Sequence, residues 1–261
     1  MFMSLLAAER QQEILERLGR EGRVLAAALA EAFSTSEDTI RRDLRDLAGR
    51  GLCRRVYGGA LPVSPASTSV QVRVGEAIDR KAALGRALAA LVAPESFIFV
   101  DSGSTNLAAA KAIAEGLRVT AATHDPAIAT ALSAWPEVTV WLIGGRVDPH
   151  IGAALGGRTL GDVEALRPDL AFLGVCALDP VGGIAAFDPE DAEIKRAILR
   201  NSRRVAAAVL NEKLETSAPF AVGSAETLDT VVLEADAPEP VARAFAERGI
   251  NVRRAQAAEA D

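Results

Sequence analysis

Six short runs of apolar, β-prone residues punctuate the second half of this chain: Phe97–Val100, Val119–Ala121, Val138–Ile143, Leu170–Val175, Val205–Leu210 and Thr230–Leu233. The stretches between them are rich in alanine and carry helical spacing. Continuous apolar runs, as opposed to alternating ones, mark strands covered on both faces, and intervening helices let successive strands run parallel. The pattern predicts an α/β fold built on a mostly parallel sheet. A helix is expected at 76–92, where Leu84, Leu88 and Leu91 fall on one face.

Upstream the pattern changes. Residues 8–60 read mainly as helices, and 58–75 combine glycine, proline and small polar residues in the manner of an extended connector. The expected division is therefore 1–60, a linker at 61–75, and an α/β unit at 76–261. Net charge is −6, yet the first 60 residues hold ten arginines against nine acids. Within 39–57 six arginines face only Asp43 and Asp46, a basic stripe suited to a confined contact with a polyanion. Cys53 and Cys176 stand far apart without metal-ligand spacing and read as free thiols, so no metal or other cofactor is expected. The apolar opening at 1–8 lacks a basic segment before it, and no apolar run approaches the ~20 residues a bilayer span needs. A cytoplasmic protein with no membrane partner is expected.

The basic stripe lies on a helix-turn-helix pattern. Ile14 and Leu18 stripe a first helix, Leu29 and Phe33 close a second, and Ser34-Thr35 form a turn. Ser36 stands at the N-cap of a third helix over 37–49, with Glu37 and Asp38 in its first turn. Ile40, Leu44 and Leu47 share one face, while Arg41, Arg42 and Arg45 project away from it. Such a helix suits the major groove, where arginine pairs with guanine or clamps phosphate. Leu52–Gly59 resembles a hairpin wing with Arg54 and Arg55 on it. The arginines read equally as a solvated face, since Arg41 follows Glu37, and Arg42 follows Asp38, by one helical turn.

In the second unit, Asp101-Ser102-Gly103-Ser104-Thr105 follows the first strand and leads into a helix at about Asn106. A strand, a Gly/Ser loop and a helix start present N–H groups and hydroxyls to an anion such as phosphate, at the strand end where open α/β sheets keep ligands. A plain turn with an N-capping serine reads the same way. Thr123-His124, Gly144-Gly145 and Gly182-Gly183 are similar loops, and Lys213 after a later strand is placed to neutralise a phosphate. His150 reads as a surface residue. No G-x-x-x-x-G-K-[ST] or G-x-G-x-x-G motif supports a nucleotide-binding enzyme.

Thr39-Ile40-Arg41-Arg42-Asp43-Leu44, then Leu47, Gly51-Leu52, Arg55 and Gly58-Gly59-Ala60, resembles the recognition stretch and wing of the DeoR family of bacterial regulators. The resemblance extends over nearly the whole chain, through Asp101–Thr105, Ile143-Gly144-Gly145, Asp169–Gly174, Ala192–Arg196 and the loop around Lys213. It implies a winged helix-turn-helix domain followed by an α/β sensor domain similar to ribose-5-phosphate isomerase and CoA transferases. It further implies a regulator, by family habit a repressor of carbohydrate or related genes. The partners implied are double-stranded operator DNA, a phosphorylated small-molecule effector and further copies of the chain in a homo-oligomer. The DNA-facing set is then Ser36, Thr39, Arg41, Arg42, Arg45, Arg54 and Arg55. The effector-facing set is Asp101, Gly103, Ser104, Thr105, Asn106, Thr123, His124, Gly144, Gly145 and Lys213. Thr35, Tyr57, Asn106, His124 and Asn211 stand where the family commonly has Val, His, Thr, Asn and Asp. Two rival classes remain at this stage. One is a sugar-phosphate isomerase or transferase, against which no second carboxylate follows Asp169 until Asp179. The other is a DNA binder whose sensor takes no ligand.

Overall fold

The computed structural model describes residues 6–21, 23–62, 64 and 68–256. Most of the apolar opening, at 1–5, and connector positions 63 and 65–67 lie outside the described residues. Three helices, α1 (Ala7–Glu21), α2 (Ala26–Ala32) and α3 (Glu37–Gly49), pack with strands β1 (Val24–Leu25), β2 (Arg54–Val56) and β3 (Gly59–Leu61). The strands form an antiparallel sheet of order β1-β3-β2. Ile14, Leu18, Leu29, Ile40, Leu44 and Leu47 meet in one small core, the faces their helical spacing predicts. Gly59 is required there, because a Cβ would land 1.9 Å from the Val24 carbonyl oxygen where β3 crosses β1.

The stretch expected as extended connector contains a helix, α4 (Val70–Val74). Valines are poor helix formers, so the cause is tertiary. The Val70 N–H donates to His150 O at 2.8 Å, and the Lys81 ammonium donates to the Arg73 and Glu76 carbonyls at the far end of the turn. The following helix, α5 (Ile78–Ala89), starts later than the expected 76–92 because Ala77 adopts a left-handed conformation, φ +50°, and it ends earlier, at Ala89.

Strands and helices then alternate: β4 (Phe97–Val100), α6 (Ser104–Lys111), β5 (Val119–Thr123), α7 (Pro126–Leu132) and β6 (Val138–Leu142). A ribbon of β7 (Arg146–Val147) and β8 (Ala154–Leu155) precedes α8 (Gly157–Glu164) and β9 (Leu170–Phe172). A hairpin, β10 (Ala177–Asp179) and β11 (Gly183–Ala186), leads to α9 (Pro189–Asn201), β12 (Val205–Val209), β13 (Phe220–Gly223), β14 (Thr230–Leu233), α10 (Glu239–Ala246) and β15 (Asn251–Arg254). Seven strands make one parallel sheet, ordered β15-β14-β12-β9-β4-β5-β6. Ile98 and Val100 point into one apolar layer with Leu84 and Leu88, and Phe99 into the other with Ile194 and Phe245. Side chains alternate along a strand, so each strand of a sheet covered on both sides must be apolar throughout. Chain order runs outward in one direction from β4 and in the other from β9. The β4/β9 junction is therefore the switch point beside which the carboxyl-end loops leave a crevice. The helix-turn-helix part is tied to this unit: Arg23 pairs with Asp179 at 2.5 Å, and the Ser64 hydroxyl donates to Cys176 O at 2.6 Å.

Candidate nucleic-acid interface and ligand cavity

Local rules set the geometry of α3. The Ser36 hydroxyl accepts the Thr39 N–H at 3.2 Å, which caps the helix, and the same oxygen lies 2.9 Å from the Thr39 hydroxyl. Asp43 faces inward, opposite the exposed arginines, and takes Arg10 of α1 through two bonds of 2.5 and 3.2 Å. That buried pair joins α1 to α3. Arg41 is held by Glu37 at 2.7 Å and Asp38 at 3.3 Å. Arg42 is not paired with Asp38, so Arg42 and Arg45 stand exposed with no hydrogen-bonded partner among the described residues. Arg55 is exposed on the wing. Arg54, grouped with it from the sequence, turns inward: successive strand residues face opposite ways, and its Nη1 is buried without a hydrogen-bond partner. Tyr57 at the wing tip is fully exposed.

At the switch point a cavity of about 390 Å³ opens between the loops after β4 and β9, the α6 and α9 amino-terminal turns and α4. Of the expected effector-facing set, Gly103, Ser104, Thr105, Asn106 and Lys213 line it. Lys213 donates to Val175 O at 2.8 Å. Loss of water around it, with Arg73 and Lys81 nearby, lowers its pKa to about 8. Asn106 lines the wall, but its amide N–H groups donate to Asp101 O at 2.9 Å and Phe172 O at 3.1 Å, fastening β4 to β9. Arg73, His150, Asp188, Asp191 and Lys195 also line the cavity. The sequence reading missed all but His150, which it placed on the surface. The A-E-x-K-R stretch was the available signal for Lys195; nothing local marked Arg73, which arrives from α4.

Five expected effector residues are elsewhere. Asp101, Thr123 and His124 are fully buried, each at 0% exposure, and none lines the cavity. Gly144 and Gly145 pack on Thr159, whose hydroxyl donates to Gly144 O at 2.9 Å. The physical reason at Asp101 is that its carboxylate is already satisfied. Oδ1 accepts the Ser102 N–H at 2.8 Å and His124 Nε2 at 2.9 Å; Oδ2 accepts the Gly174 N–H at 2.7 Å and Lys195 Nζ at 2.9 Å. Lys195 also reaches Asp191 at 2.7 Å, and His124 Nδ1 sits 2.8 Å from the Ala154 carbonyl. Both ring nitrogens of His124 face acceptors, so the geometry calls for the doubly protonated ring. Burial opposes that charge, but the Asp101 carboxylate outweighs it and the pKa is raised. Burial likewise works to raise Asp101, yet Lys195 and His124 bring it down to about 2. His124, Lys195 and the Asp101 and Asp191 carboxyl groups thus form a buried cluster at the cavity floor, in which burial raises the pKa of Asp191. Asn211 is likewise engaged away from the cavity, donating to Asp236 at 2.9 Å.

Two family models and several curated relatives match this chain. A model of the DeoR-like helix-turn-helix domain matches residues 10–66, and one of the DeoR C terminal sensor domain matches 76–235. The glycerol-3-phosphate regulon repressor of Escherichia coli (strain K12) is 33% identical over 234 residues, covering 89% of this chain and 92% of its own. The putative aga operon transcriptional repressor of Escherichia coli O157:H7 is 25% identical over 249 residues, covering 94% and 93%. Among solved structures, ribose 5 phosphate isomerase A from Neisseria gonorrhoeae aligns with 57% of this chain and 56% of its own at 12% identity and a TM-score of 0.39. No helix among the described residues is long and apolar enough to cross a membrane.

Proposed function

Because this chain belongs to the DeoR family of transcriptional regulators, DNA-binding proteins and not enzymes, we propose that it represses carbohydrate or related genes until a phosphorylated metabolite fills the switch-point cavity. In this reading residues 1–60 are the DNA-binding head, 61–75 the connector and 76–261 the sensor, and the chain works in the cytoplasm as a homo-oligomer with paired heads. Paired heads read half-sites spaced by about one helical turn or a multiple of it. The observation that carries the proposal is the cavity wall itself. Lys213 and the amino-terminal turn of α6 present positive charge and N–H groups beside Arg73, which belongs to the segment leading back to the head. An anion bound there touches the connector directly. Exposed Arg42 and Arg45 on α3, with Arg55 on the wing, supply the contacts to DNA.

Glycerol 3-phosphate is the first compound to test, since it names the regulon of a relative 33% identical. In a thermal-shift panel of sugar and polyol phosphates, one compound at about 100 times its Kd is expected to stabilise the protein by about 2.7 kcal/mol. The shift is expected to shrink as pH rises through 8, because phosphate favours the charged form of Lys213 and that lysine loses its proton near that pH. No shift with any phosphorylated compound leaves a DNA binder without this effector class.

On the DNA side, Arg42→Ala is expected to weaken operator binding and flatten its salt dependence by about one unit of slope, the signature of a lost phosphate contact. Affinity unchanged across a salt titration removes Arg42 from the interface.

A further inference from the structure

The two edges of the seven-stranded sheet are built differently. At one, β15 exposes Arg253 and Arg254, charges of the kind that discourage addition of another strand. At the other, β6 reads Val138-Thr139-Val140-Trp141-Leu142, with no charge and no proline. Its register with β5 is unbroken from Val138 to Leu142, so no bulge turns it aside. The Ile143 N–H donates to Thr123 O at 2.8 Å. Backbone groups of successive residues point to opposite sides of a strand. Those of Val140 and Leu142 therefore point to the open edge. Beside them Trp141 is 54% and Leu142 53% exposed. Trp141 is not loose: its ring tilts against Phe97 with centroids 6.4 Å apart.

We infer that β6 pairs antiparallel with β6 of a second copy of this chain, about a two-fold axis at Trp141, joining two sheets into one. The inference rests on the reading of paired heads, to which it adds the surface that pairs them. An open edge needs a strand, and a two-fold contact must be complementary to itself. In this register Val140 exchanges both backbone hydrogen bonds with the partner's Leu142. Trp141 meets the partner's Trp141 at a non-hydrogen-bonded site, where opposing Cα atoms lie about 4.5 Å apart and aromatic pairs are favourable. Charge agrees with the register. Glu137, just before β6, is exposed and in no ion pair among the described residues. It comes opposite the partner's Gly145, next to the partner's Arg146, an exposed arginine that in its own chain meets Glu190 at 2.6 Å and Asp148 at 3.7 Å and would take Glu137 as a further acid, and symmetry repeats the contact.

Sedimentation equilibrium and disulfide trapping on the full chain test the inference. The wild-type protein is expected at twice its chain mass of 27.3 kDa, and Leu142→Lys, at a solvent-exposed position, is expected to weaken self-association about 100-fold. Trp141→Cys is expected to give a covalent dimer on mild oxidation, whereas Arg253→Cys on the opposite edge and the wild type, whose own two cysteines are Cys53 and Cys176, are not. A wild type that pairs, with Leu142→Lys still paired and no trapped dimer from Trp141→Cys, overturns the β6 interface and leaves pairing through another surface. A wild type that stays monomeric at every soluble concentration overturns the paired-head reading itself.

Discussion

Replacing Lys195 with methionine is expected to destabilise the protein by about 3–5 kcal/mol, the usual cost of removing one partner from a buried ion pair. The lysine is 2% exposed and is the only group bonded to both the Asp101 and Asp191 carboxylates among the described residues. Without it two carboxylates face each other away from water, balanced only by His124. The size of the pH dependence, compared with the wild type, separates the two proteins. In the wild type, Asp101 titrates at about 2, below the ordinary 3.8, so its contribution is present above pH 4 and is lost as pH falls toward 2. Burial already holds Asp191 above its ordinary value in the wild type, and in the variant the loss of the Lys195 charge pushes both acids further up. The folded state then binds more protons than the unfolded one in the range above pH 4, and stability falls as pH rises through it. Urea denaturation at pH 5 and pH 7.5 measures this. A variant equally stable at both, and within 1 kcal/mol of wild type, shows that Lys195 does not hold the cluster together.

Asp43→Ala is expected to abolish DNA binding while leaving the sensor folded. The residue is 3% exposed and receives Arg10 through two bonds, with Gln11 adding a third at 3.3 Å. Truncation removes a buried carboxylate from beside the buried Arg10 guanidinium, at a cost again of about 3 kcal/mol or more, a large share of the stability available to so small a unit. Two-step unfolding is the expected behaviour: loss of operator binding with an early calorimetric transition, and a later transition that an effector still shifts. The double variant Arg10→Met/Asp43→Leu is expected to recover much of the lost stability, since an apolar pair of similar bulk replaces a buried ion pair with little loss. If Asp43→Ala binds operator as the wild type does, the pair is not what holds α3 to α1.

The same residue shows how legibility varies within one motif. In Thr39-Ile40-Arg41-Arg42-Asp43-Leu44 the spacing separated buried Ile40 and Leu44 from outward arginines. That Asp43 points inward toward Arg10 was not legible, because the partner lies 33 residues away on another helix. Arg54 and Arg55 are identical letters in one strand, and only the pleat sends one in and one out. The departures Asn106, His124 and Asn211 look from the sequence like changes around one pocket. In the fold each makes hydrogen bonds within the protein, and His124 does so against Asp101, whose carboxylate raises its pKa. β15 escaped notice because it is an edge strand: Asn251, Arg253 and Arg254 meet water and leave no apolar run to read.

Whatever depends on neighbours a few residues apart was determined by the sequence alone: six of the seven parallel strands, the capped helix with its arginine face, and the loop-to-helix turn at Gly103. Periodicity and capping are local, and they act before any long-range contact exists. The tertiary structure decided what required distant segments to meet. It recruited Arg73 from a connector that reads as unstructured, withdrew Asp101 and His124 from the cavity into a buried cluster with Lys195, and left one sheet edge open. Those outcomes turn on which loops the strand order brings to the switch point, and on which charges lose water there and must find one another.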